Sequence, residues 1–165
     1  MNDLAGLLKR VELLEAERAV AKTIHRYATA IDYGLDEDWV DCFADNGIFE
    51  VRPRAGTAFQ VQGSEALRQF IAGHTKAPLR WHKHLVTQHA IEVGGASAGA
   101  RSYILRVDED DDGIPKIWVF GRYLDQLVLC ADGRWRFRHR IIELEGAQPA
   151  GWKPLREGAL PVVAE

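Results

Sequence analysis

Among the histidines and carboxylates of this chain, His84 and Asp32 are a candidate pair for moving a proton unaided. An imidazole held by a carboxylate has one ring nitrogen fixed as donor and the other left as base. Such a pair can transfer a proton without a metal. Asp32 falls at the end of an apolar-periodic segment that reads as a helix, where the negative end of the helix dipole disfavours a carboxylate unless a donor or cation meets it. A histidine is such a partner. His84 lies in the stretch Trp81-His82-Lys83-His84-Leu85-Val86, which opens a strand, and alternation puts His82 on the same face as His84 and Val86. His82 therefore competes with His84 for the role of base. Tyr27 stands about 140° from Asp32 around the helix at ~100° per residue, and the two share a site only if Asp32 lies in the last turn. The plainer reading of Tyr27 is a core residue with a satisfied hydroxyl.

Other clusters carry less. His82, His84 and His89 suggest a metal site, since strand ligands two apart share a face, but His89 falls on the opposite face unless a bulge intervenes, so no metal is expected. Asp108 to Gly113 begins like a calcium loop, yet Val119 stands where that loop needs its glutamate; a solvated hairpin tip is the expectation. His25, His74 and His139 show no partner pattern and read as surface or packing residues. Trp39, Phe43, Trp81, Trp118 and Trp135 read first as core, with Trp39 and Phe43 available to wall a pocket for a flat, apolar substrate. No phosphate loop, nucleophile elbow or cysteine-nucleophile motif is present, so no cofactor is expected.

The elements that must hold these groups follow from periodicity. Leu4, Leu7, Leu8, Val11, Leu14, Ile24, Tyr27, Ala28 and Ile31 recur at the three- and four-residue spacing of a buried helix stripe, with Asn2 or Asp3 to cap it and Gly34 to end it. A short helix opens at Asp36 and closes at the polar turn Ala44 to Gly47. A hairpin runs from Ile48 to Arg52 and Ala58 to Val61, and Ser64 caps a third helix. Four strands follow, His82 to Val93, Ala98 to Val107, Ile114 to Leu129 and Arg134 to Glu145, joined by hairpin turns that make the sheet largely antiparallel. In the last of them Arg134, Arg136, Arg138 and Arg140 fall on one face and Trp135, Phe137 and His139 on the other. The fold class is α+β, three helices from the N-terminal half packed on a curled sheet with a pocket between. Residues 1–147 form one domain, and Gln148 to Glu165 form a tail that either lies over the body or frays.

At 165 residues, with 47% apolar and 27% charged side chains, the chain suits one ordinary globular domain. Its net charge of −3 and lack of a basic stripe interleaved with aromatics argue against a nucleic-acid partner. The charged N-terminal segment is no signal peptide, and no apolar run is long enough to span a membrane. Cys42 and Cys130 share no motif with other thiols, which suits a reducing cytoplasm.

Several separated stretches resemble the SnoaL-like branch of the NTF2-like, cystatin-like superfamily. They are Arg26-Tyr27-Ala28-Thr29-Ala30-Ile31-Asp32, Trp39, Cys42 to Phe49, Gly63 to Leu67, Trp81 to Leu85 and Asp132 to Phe137, spread over roughly residues 10 to 145. Within that superfamily the pattern is similar to scytalone dehydratase, the bile-acid 7α-dehydratase and the hexachlorocyclohexane dehydrochlorinase. The resemblance implies that His84 is the base that takes a carbon-bound proton, that Asp32 orients it, and that Tyr27 assists the pair. It also implies a cationic contact to the leaving group from Arg138 or Arg140. Gln88 stands where many members carry asparagine, which alters the hydrogen bonding beyond His84.

The expectation is a cofactor-independent, dehydratase-type lyase acting on a small, mostly apolar ring compound of polyketide, steroid or terpenoid type. His84, Asp32 and Tyr27 would carry the chemistry, and His82, Trp39, Phe43, Gln88, Arg138 and Arg140 would bind substrate. The alternatives are an isomerase using the same pair, a non-catalytic small-molecule-binding domain, and an accessory subunit like the small chain of ring-hydroxylating oxygenases. A homo-oligomer, dimer or trimer, is expected because the outer face of such a sheet is broad and partly apolar.

Overall fold

The computed structural model describes residues 3–146, apart from 55, 75, 76 and 79. The tail expected from Gln148 lies outside the described residues. The chain opens with α1 (Leu4–Tyr33), whose first turn is capped by the Asp3 carboxylate accepting from Gly6 N–H at 2.9 Å. Gly34 ends it in the left-handed region, φ 67°, donating its N–H to the Ala30 carbonyl. Only the C-terminal half of this helix is buried, through Val20, Ile24, Tyr27, Ala28, Ala30, Ile31 and Asp32. The expected burial of Leu4, Leu7, Leu8, Val11 and Leu14 does not occur; all five are exposed. A helix of 30 residues is about 45 Å long, and its first turns run past the body that covers the rest.

The short helix α2 (Asp36–Val40) follows, then β1 (Phe43–Pro53), β2 (Phe59–Gln62), α3 (Ser64–Ala72), β3 (His82–Gly94), β4 (Ser97–Glu109), β5 (Pro115–Leu129) and β6 (Trp135–Leu144). Ala44 to Gly47, expected as a turn, lie inside β1, where the register with β6 shifts between Phe43 and Ile48. The residue capping α3 is Gly63 and not Ser64, which occupies the first helical position. The six strands form one curved, unclosed sheet in the order β2-β1-β6-β5-β4-β3. All neighbours pair antiparallel except β1 and β6, which are parallel.

The helices cover the concave face. An aromatic cluster forms the core, with Tyr27 of α1 edge-on to Phe43, Tyr123 and Phe137 and Trp39 against Phe43 and Phe49. Each such side chain contributes about 1.5–3 kcal/mol on burial, and paired rings add a little more. Into this cluster runs an ion pair. Arg140 and Asp125, both with 0% side-chain exposure, share two hydrogen bonds of 2.9 and 3.0 Å, and the guanidinium lies within 4.2 Å of the ring centres of Tyr27, Tyr123 and Phe137.

Arg140 thus does not share a face with Arg134, Arg136 and Arg138. Arg138 has no partner in either flanking strand's register; it is the extra residue of a bulge, which turns Arg140 inward alongside Phe137. Among the described residues no helix is long and apolar enough to cross a membrane.

Candidate active site

Asp32 sits in the last turn of α1, one residue before Tyr33 ends the helix, and it is 4% exposed. One of its oxygens, Oδ1, lies 2.6 Å from Nδ1 of His84. The backbone N–H of His84 donates to both Asp32 oxygens, at 3.2 and 3.1 Å. These contacts meet the need of a buried carboxylate at a helix C-terminus for donors. They also settle the tautomer: with Nδ1–H donating to Asp32, Nε2 is the nitrogen left to accept a proton.

His84 lines a hollow of about 140 Å³ between the end of α1 and the concave face of the sheet. Tyr27, Phe70, His74, Arg106 and Tyr123 share its wall. Burial pushes the Tyr27 hydroxyl well above the usual tyrosine range and that of Tyr123 up to about 12, so both stay protonated donors at neutral pH. The strand register explains the polar side of the wall. His84 stands opposite Arg106 and His82 opposite Asp108 across β3 and β4, and Arg106 grips Asp108 through Nε and Nη2 at 2.7 Å each.

His82 stands farther from Asp32 and does not face the hollow. It is 2% exposed, it is absent from the wall of the hollow, and its Nε2 lies 3.6 Å from Asp32 Oδ1. Neither of its ring nitrogens has a hydrogen-bond partner among the described residues. Burial, with Arg106 and His84 nearby, holds its pKa below the ordinary histidine value.

The remaining expected binding residues lie elsewhere. Trp39 and Phe43 belong to the core cluster behind the hollow. Gln88 is exposed at a bulge of β3, with φ 58°, so its side chain leaves the concave face. Arg138 is exposed and bonded to Gln126. Arg140 is spent on Asp125 and does not reach the wall. The cation on the wall is Arg106, and a second imidazole there is His74, at the end of α3, its ring centre 6.4 Å from that of His84. Both were missed. Arg106 continues the inward alternation of Ser102 and Ile104 on β4, a signal present in the sequence. Asp108, assigned there to a solvated tip, is the next inward residue and is buried. His74 has no such signal, because its place depends on how α3 packs. The bulge at Gln88 also turns His89 toward α1, where its Nε2 meets that of His25 at 2.9 Å.

Asp32, His82 and His84 offer one oxygen and two ring nitrogens within 4.8 Å of one another, donor types that suit a divalent transition ion. In this structure the Asp32 oxygens are engaged by His84 itself. A larger cleft of about 800 Å³ lies near α2 and the β5–β6 turn. Most of its charged side chains are committed to one another, Glu37 to Arg68 and both Asp41 and Asp132 to Arg136. The smaller hollow holds the groups able to exchange a proton.

The SnoaL-like domain family matches residues 12–141. The chain belongs to that family. Among solved structures it is similar to Rv3472 of Mycobacterium tuberculosis, a protein of unknown function, at 28% identity and TM-score 0.68 over 82% of this chain and 77% of that one. It is similar to an NTF2-like protein with a cystatin-like fold from Novosphingobium aromaticivorans, at 23% identity and TM-score 0.76 over 91% and 95%. A protein from Catenulispora acidiphila crystallised in complex with S-DNPA matches at 26% identity and TM-score 0.66, over 81% and 94%. No curated protein matches. This SnoaL-like chain therefore has the NTF2-like, cystatin-like α+β architecture, with its helix-end carboxylate in contact with a strand imidazole that lines the fold's hollow.

Proposed function

We propose that this SnoaL-like protein is a cofactor-independent lyase of dehydratase type that acts by general acid–base catalysis on a small, mostly apolar ring compound. The observation that carries the reading is the 2.6 Å contact between His84 Nδ1 and Asp32 Oδ1, made where His84 lines a hollow with otherwise mostly apolar walls. His84 Nε2 takes a carbon-bound proton, Asp32 stabilises the imidazolium that forms, and the protonated Tyr27 hydroxyl donates to a substrate oxygen. Membership of a family that includes polyketide cyclases and dehydratases and the complex of the Catenulispora acidiphila protein with S-DNPA support a small-molecule substrate.

The protein works as a homo-oligomer in a reducing cytoplasm. Both cysteines are free, and the outer sheet face exposes Leu85, Leu105 and Phe120 side by side on β3, β4 and β5. A panel of hydroxylated ring ketones, screened by thermal shift and then by mass spectrometry, tests the activity. The expected product has lost one water, and saturable binding with no change of mass in any compound contradicts the reading.

A further inference from the structure

When a proton leaves carbon next to a carbonyl, the carbonyl oxygen becomes negative, and something must hold that charge. Arg106 stands directly opposite His84 in the β3–β4 register, so both side chains rise from one face with Cβ atoms about 5 Å apart. Arg106 lines the hollow, and its partner Asp108 does not. The two bonds to Asp108 use Nε and Nη2; they orient the guanidinium and leave both hydrogens of Nη1 for another acceptor. The charged and titratable groups around it are Asp108 on its own strand, His82 and His84 on β3, Asp32 on α1, His74 just past α3, and the Tyr27 and Tyr123 hydroxyls. Asp32 is engaged by His84 and Asp108 is behind Arg106, so an anion entering the hollow meets an oriented cation.

Size narrows the occupant. An apolar cavity of about 150 Å³ takes benzene, and the hollow has about 140 Å³. One six-membered ring fills it, and the rest of any larger molecule stays at the mouth.

We propose that Arg106 is an oxyanion-binding residue and that the substrate inserts a single ring whose carbonyl adjoins the carbon deprotonated by His84. The inference rests on the proposed function and names its substrate class. As His84 Nε2 takes the proton, the C–H electron pair forms the enolate, whose oxygen accepts from Arg106 Nη1. The carbonyl then re-forms, a double bond forms to the next carbon, and the C–O bond there breaks. The hydroxyl leaves with the proton returned by His84, as water.

4-Nitrophenol is a single-ring probe that is coloured only when ionised, so its state on the protein is read directly. Wild type is expected to hold the phenolate roughly 10-fold or more tighter than the phenol, the factor a charge-assisted hydrogen bond supplies. Arg106→Lys keeps a reduced preference. The neutral pair Arg106→Gln with Asp108→Asn, which strands no buried charge, binds both forms alike, and 4-nitroanisole controls for ring fit. His84→Asn retains the preference.

Equal binding of phenol and phenolate by wild type overturns the assignment. So does a preference that survives the double variant, one that disappears with His84→Asn, or failure of both probes to bind. Full turnover by His84→Asn would instead sink the proton-transfer reading, and it leaves the phenolate measurement untouched.

Discussion

Asp32 holds His84 at two places at once, the imidazole Nδ1 and the backbone N–H of the same residue. The helix end thereby fixes both the path of β3 at His84 and the turn of its second inward imidazole. Asp32→Asn keeps an acceptor for the backbone but can present an amide donor to the ring, favouring the wrong tautomer. Its kcat is expected to fall ~10²-fold or more with the fold retained, and His84→Ala to fall at least as far. Steady-state kinetics beside far-UV circular dichroism checks both. Unchanged kcat in Asp32→Asn contradicts an orienting role.

The Arg140–Asp125 pair is a structural feature, and its mutants separate stability from chemistry. Arg140→Ala leaves a buried carboxylate without its cation and is expected to cost about 3–5 kcal/mol. Arg140→Met combined with Asp125→Leu removes both charges and restores most of that stability. Urea unfolding of the two variants is the measurement. If the single and double variants are equally unstable, the ring packing around the guanidinium matters more than the pair.

Stability should fall in mild acid. His82 and His89 both have pKa values held below the ordinary value of 6.5, chiefly by burial. Asp32, His84, Arg106 and Asp108 surround the first, and His25 and Arg140 the second. The unfolded chain takes up these protons near pH 6.5 while the folded chain resists, so stability is full above that pH and is lost as pH falls toward the folded values. Each group adds a slope of up to about 1.4 kcal/mol per pH unit. Chemical unfolding from pH 7.5 to 5 checks this, and His82→Phe should flatten the curve. A profile equally steep in that variant assigns the loss to other groups.

Leu85, Leu105 and Phe120 are 47%, 38% and 44% exposed and stand opposite one another across three strands. Light scattering should give a mass two or three times the 18.5 kDa of the chain, and Leu105→Arg should return it to one. A monomeric wild type contradicts the assembly.

The helix-to-strand order, the helix-end position of Asp32 and the shared inward face of His82 and His84 were legible because periods of 3.6 and 2 persist through those segments. Single extra residues broke the rest. The bulge at Arg138 reverses the face of Arg140, the one at Gln88 redirects His89, and neither leaves a mark in the hydrophobic pattern. The Leu4 to Leu14 stripe has helix periodicity, but periodicity states which face is apolar and not whether anything covers it. The different surroundings of His82 and His84 needed the third dimension too, since alternation treats them alike, whereas contact with Asp32 and a place on the wall of the hollow distinguish them.

Proton abstraction from carbon by His84 is the claim on which the functional account stands. Its most direct test takes the ring ketone that most raises the melting temperature and follows exchange of the hydrogens next to its carbonyl for deuterium in D₂O, by NMR. Wild type should accelerate exchange over buffer, and His84→Ala should lose that acceleration by ~10²-fold or more. Exchange no faster than in buffer, or equally fast with His84→Ala, would contradict the account.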